Sequence, residues 1–142
     1  LHDDLARGHL VSTLKKGKPV SFRVRGGSME PWIHDGDIVE VEPLTALEKG
    51  DVALVEDARL LRVHRVIDAG PDGVRTAGDR LSKADPPAPW SRVLGRVKRV
   101  RRNGRIVRAA LSPTLGRLWA ALFPLRPRLF PILRSLKHLA QA

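Results

Sequence analysis

Between Val20 and Val107 the chain is cut into short alternating segments, each closed by a glycine or proline turn. Val20 to Arg25 sets Val20, Phe22 and Val24 against Ser21, Arg23 and Arg25, the pattern of a strand with one buried face. Ile38 to Glu42 alternates again after Asp35-Gly36-Asp37. Val52 to Val55 follows Gly50-Asp51, and Leu60 to Ile67 leads into the turn Gly70-Pro71-Asp72-Gly73. Val74 to Thr76 and Val93 to Val100 complete the series. Arg102-Asn103-Gly104-Arg105 then predicts a tight hairpin into Ile106-Val107. So many short strands at close spacing predict a mainly β core. A short helix over residues 1–16 should precede it, with Leu5, His9 or Leu10, and Leu14 at helical spacing and Gly17 and Pro19 ending it.

The chain has no cysteine, which excludes disulfides, thiolate-bound zinc and a thiol nucleophile. Residue 1 is leucine, which leaves room for a segment before it. No apolar run in the sequence reaches the length of a membrane span. The net charge of +11 is unevenly placed. Pro86 to Ala142 carries 13 Lys and Arg and no acid, whereas the first 85 residues balance to −2. After Ala110 the pattern turns helical, with Leu115, Leu118, Trp119, Leu122 and Phe123 on one face. Pro124, Pro127 and Pro131 interrupt it before a second stripe of Ile132, Leu133, Leu136 and Leu139. The expected organisation is an N-terminal helix (1–18), a β domain (19–110) and a basic amphipathic tail (111–142). The tail's apolar stripe suits either an anionic membrane surface or the domain itself. Its arginines follow no nucleic-acid reading motif, so no specific nucleic acid is expected as a partner.

Three short segments carry chemistry. Gly26-Gly27-Ser28-Met29-Glu30-Pro31 ends a strand, and a serine after two glycines presents its hydroxyl in a tight turn. Taken alone, this is equally the composition of an ordinary loop. His64 lies within Val63-His64-Arg65-Val66; a serine needs a base active near neutrality, and histidine supplies one. Thr76-Ala77-Gly78-Asp79, with Asp85 six residues later, offers two carboxylates to orient the imidazole. Gly78-Asp79 also has the form of a simple turn, like Gly36-Asp37 and Gly50-Asp51.

In order and spacing, these segments resemble the signal peptidase family in its archaeal and endoplasmic-reticulum branch. The matching boxes are Ser28 to Pro31, Gly36-Asp37, Gly50-Asp51, His64 to Val66, Thr76 to Asp79, and Asp85, spanning roughly residues 20–100. The resemblance implies the mainly β fold shared with self-cleaving repressors, and cleavage of peptides after small residues. It implies Ser28 as nucleophile, His64 as base, and Asp79 or Asp85 as orienting acid, with Asp85 preferred because Gly78-Asp79 has the turn role. Gly26, Gly27, Met29 and Pro31 are then expected on the substrate and oxyanion side. No metal or cofactor is implied.

Three departures from the family pattern stand out. Only a short helix precedes the serine box, where the family usually carries a membrane anchor. Gly26 occupies the position of an oxyanion-donating serine in the bacterial branch, so backbone N–H groups must serve instead. The segment from His64 to Asp79 has no room for the extra subdomain of larger relatives. These features resemble the small cytoplasm-type members, placed in the cytoplasm or at the membrane periphery. Repressor-type relatives use a lysine base and carry an N-terminal DNA-binding domain; here histidine holds the base position, and no such domain is expected. A non-catalytic peptide-binding module of the same fold, or a nucleic-acid-binding protein acting through the tail, are the competing functions.

Overall fold

The computed structural model describes residues 4–58 and 60–125. It is mainly antiparallel β, with a short helix at each end of the described chain. The strands are β1 (Val20–Arg23), β2 (Ile38–Pro43), β3 (Val52–Asp57), β4 (Leu60–Gly70), β5 (Gly73–Ala77), β6 (Ala88–Pro89), β7 (Val93–Arg102) and β8 (Arg105–Ile106). They form one eight-stranded sheet in the order β1-β2-β7-β3-β4-β5-β6, with β8 paired to β7. Helix α1 covers Asp4–Lys15 and α2 covers Pro113–Ala121.

Strand β3 lies between β7 and β4 and is buried on both faces. Val52 and Leu54 enter one apolar cluster with Val39, Val41, Val63 and Val100. Ala53 and Val55 enter the other with Val66, Val74 and Val93. A continuous apolar run, rather than alternation, is what a doubly covered strand requires. The hairpin between β7 and β8 forms as expected: Asn103 and Gly104 both have positive φ, 52° and 76°, and Arg102 pairs with Arg105. That backbone twist matches the strand twist, which is why Asn-Gly is favoured there. Strand β6 has no signal in the sequence, because Pro86, Pro87 and Pro89 read as a loop; it pairs at the sheet edge, where proline is tolerated.

Helix α1 lays Leu10 and Leu14 on the first cluster and leaves Leu5 exposed. Helix α2 departs from the expected stripe. Its buried face is Gly116, Trp119 and Ala120, whereas Leu115 and Leu118 are exposed, Leu118 by 53%. The indole decides the orientation. Trp119 meets Trp32 edge to face, with centroids 6.0 Å apart, and burying two large rings outweighs covering two leucines. Phe123 and Ala120 join Ile67 and Ala77 in a third, small cluster. Residues 113–121 therefore pack on the β domain. The second stripe, Ile132 to Leu139, lies outside the described residues. Among the described residues, no helix is long and apolar enough to cross a membrane.

Candidate active site

Ser28 lies in the loop between β1 and β2, and several bonds fasten that loop. The Val24 N–H donates to the Asp37 carbonyl (2.8 Å), and the Gly36 N–H donates to that of Val24 (2.8 Å). The N–H of Gly26, a residue with φ of 88°, donates to Asp35 Oδ1 (2.7 Å). Met29 and Ile33 are buried in the core beneath the loop. The Ser28 carbonyl accepts from the Arg80 N–H (3.0 Å), tying this loop to the one after β5. Gly78 makes that contact possible, because a Cβ there would stand 2.7 Å from the Ser28 carbonyl oxygen.

His64 sits in the middle of β4, opposite Ala53 of β3, and is 6% exposed. Its Nε2 lies 3.2 Å from Ser28 Oγ, and its Nδ1 lies 2.5 Å from Asp85 Oδ2. The Thr76 hydroxyl donates to the same Oδ2 (2.7 Å), and the Asp85 N–H donates to the Thr76 carbonyl (2.8 Å). Arg62 Nη1 lies 3.0 Å from Asp85 Oδ1, and its Nη2 pairs with Asp57. A carboxylate facing Nδ1 keeps the ring proton on that nitrogen, which leaves Nε2 as an acceptor toward the serine hydroxyl.

Asp79, the other candidate acid, is elsewhere. It is fully buried and takes a two-pronged bond from Arg65, with Nε at 2.9 Å from Oδ1 and Nη2 at 2.7 Å from Oδ2. Arg65 also donates to the Gly50 carbonyl (3.0 Å) and the Ala110 carbonyl (3.1 Å). That network joins β4 to the loop before β3 and the approach to α2. Arg65 points away from His64 because neighbouring strand residues face opposite sides.

A cleft of about 130 Å³ opens beside the pair, lined by Phe22, Arg23, Val24, Arg25, Ser28, Leu61, Arg62, Val63 and His64. The expected substrate-side residues are placed differently. The Met29 side chain is 1% exposed and belongs to the core, since the loop needs an apolar anchor. The Pro31 carbonyl bonds to the His34 ring (3.0 Å), and its ring is not in the cleft wall; Gly26 and Gly27 shape the turn without lining it. Arg62 is the site residue that the motifs missed. Its signal was its place two residues before His64, hence on the same face of the strand. A larger hollow of about 530 Å³ runs along α1, lined by Arg7, Gly8, Val11, Ser12, Lys15, Lys16 and Glu56, and contains neither Ser28 nor His64.

A serine, a histidine and an aspartate hydrogen-bonded in series, where the β1–β2 loop meets β4, have the arrangement of a serine-hydrolase triad. The Peptidase S24-like family profile matches residues 8–75, a span that holds Ser28 and His64 but stops before Asp85. The match supports a place in the S24/S26 peptidase superfamily, and the β architecture is consistent with that fold. No curated protein sequence matches the chain.

Burial works against ionisation of Asp85, but the hydrogen bonds from His64 and Thr76, and the attraction of the neighbouring imidazole and the Arg62 guanidinium for a carboxylate, outweigh it. Its carboxyl therefore titrates below the ordinary aspartate value. In the unfolded chain it takes up a proton near ~3.9. The stabilisation is thus complete above that pH and is lost as pH falls through the lower, folded value. The stability gap between wild type and Asp85→Asn, measured by urea unfolding, should narrow as pH is lowered from about 6 toward about 3. A gap that widens on acidification contradicts a depressed Asp85.

Proposed function

We propose that the chain is a serine endopeptidase in which Ser28 is the nucleophile, His64 the general base and Asp85 the residue that orients His64. The observation that carries this is the series Ser28 Oγ, His64 Nε2, His64 Nδ1, Asp85 Oδ2, at 3.2 and 2.5 Å. His64 takes the hydroxyl proton as Ser28 attacks the peptide carbonyl, and returns it to the leaving amine as the acyl-enzyme forms. Water, activated by the same imidazole, then releases the acyl group. Asp85 stays ionised and stabilises the imidazolium, and Thr76 and Arg62 hold its carboxylate in place. Backbone N–H groups at the serine turn, that of Ser28 included, are assigned to the oxyanion.

A fluorophosphonate probe tests the nucleophile directly. It should phosphonylate Ser28 with loss of fluoride and leave Ser28→Ala unlabelled. An unlabelled wild-type protein that also cuts no member of a peptide library would instead be a peptide-binding module of the same fold.

Specificity for small residues follows from the cleft. A peptide strand laid beside β1 sends alternate side chains into the enzyme, so positions one and three before the cleaved bond share one narrow wall. Leucine at the position just before the cut should lower kcat/KM by roughly 10–200-fold or more relative to alanine. Equal cleavage of peptides bulky at both positions would refute the pocket assignment.

A further inference from the structure

The wall of the cleft formed by residues 22–25 is cationic on one side. Phe22 and Val24 turn inward, half-buried and buried, whereas Arg23 and Arg25 are both exposed. Arg23 spends one nitrogen on the Gly36 carbonyl (3.0 Å), which steers the side chain and leaves its charge uncompensated. The third arginine of the cleft, Arg62, is neutralised by Asp57 and Asp85. Nearby carboxylates are already engaged. Asp35 accepts from the Gly26 N–H, Asp37 pairs with Arg102, and Glu40 with Lys98 and Arg99. Among the described residues, no ion pair includes Arg23 or Arg25.

Strand β1 ends the sheet, so the edge that does not pair with β2 is open. A peptide on that edge alternates as β1 does. Side chains at one and three before the cleaved bond go to the Phe22 and Val24 side; those at two and four emerge on the side of Arg23 and Arg25. Resting on the peptidase reading above, we propose that Arg23 and Arg25 select substrates with carboxylates two and four residues before the cleaved bond. The substrate class is then an acidic peptide with small residues at the intervening positions.

The test compares peptides that keep alanine at positions one and three and carry Asp, Gln or Lys at two and four. Each exposed ion pair contributes modestly, so the two together should favour Asp over Gln by about 3–10-fold in kcat/KM at low salt, with Lys below both. The preference should shrink as salt is raised toward about 0.5 M. It should vanish in the Arg23→Gln/Arg25→Gln double variant and persist in Arg105→Gln, an exposed arginine outside the cleft. Equal turnover of Asp and Gln peptides, or a preference that survives in the double variant, overturns the proposal. So does an equal loss in Arg105→Gln, which would make the effect one of overall charge. Fluorescence anisotropy of the same peptides on Ser28→Ala protein reads the charge preference without turnover. If no peptide is cut but the Asp peptides still bind more tightly to the arginine-bearing protein, the peptidase reading fails and the acidic-peptide site stands.

Discussion

Ser28→Ala and His64→Ala should each lower kcat for a cleaved peptide by on the order of 10⁴-fold or more, and the double variant should be no worse than either alone. The two side chains act on one proton, so removing either removes the same step. Neither change should unfold the protein. Ser28 contributes its hydroxyl to one 3.2 Å contact, while its loop is held by Met29, Ile33 and backbone bonds. Asp85 keeps Thr76 and Arg62 when His64 is truncated. Urea midpoints close to wild type, with turnover gone, are the expected pair of results. Near-wild-type cleavage by His64→Ala would remove histidine as the base and return attention to a lysine.

Asp79→Asn should behave in the opposite way. It leaves the Arg65 guanidinium buried without a counter-charge, and breaking a buried pair from one side costs about 3–5 kcal/mol. Arg65 is the largest of the fully buried side chains and is bonded to Gly50 and Ala110 as well, so it has no route to solvent. Replacing both partners, as Arg65→Met with Asp79→Leu, should cost less than Asp79→Asn alone, because no charge is then stranded. Below the unfolding transition, Asp79→Asn should retain its turnover, since Asp79 touches Arg65 and not His64. Loss of turnover with unchanged stability would make Asp79 the orienting acid instead.

The candidate site was largely legible in the sequence, because its three residues fall in boxes whose order survives any reasonable placing of the strands. Gly78-Asp79 has the same form as the turns at Gly36-Asp37 and Gly50-Asp51, and in the structure Asp85 faces His64 while Asp79 faces Arg65. What could not be read was pairing across the fold. Arg65 is a charged residue in a strand, and nothing local says that the Gly50 turn and the Ala110 carbonyl cover it or that Asp79 neutralises it. Helix α2 showed leucines at a helical spacing, but which face is buried depends on Trp32, a residue far away in sequence. Met29 belongs to the serine box, and nothing local says that its side chain points into the core. In each case the deciding partner is distant along the chain, where periodicity carries no information.

Ser28 and His64 are mounted on supports of different kinds. His64 stands on a strand laddered to β3, which is covered on both faces, the kind of strand that belongs to the most stable part of a domain. Ser28 rides on a surface loop held by a handful of bonds, one of them reaching across to Arg80. Small adjustments at the site therefore fall to the serine. On the peptidase proposal, a peptide settling against the loop would draw the Ser28 hydroxyl toward the strand-borne imidazole, coupling the seating of the peptide to the alignment of the attack.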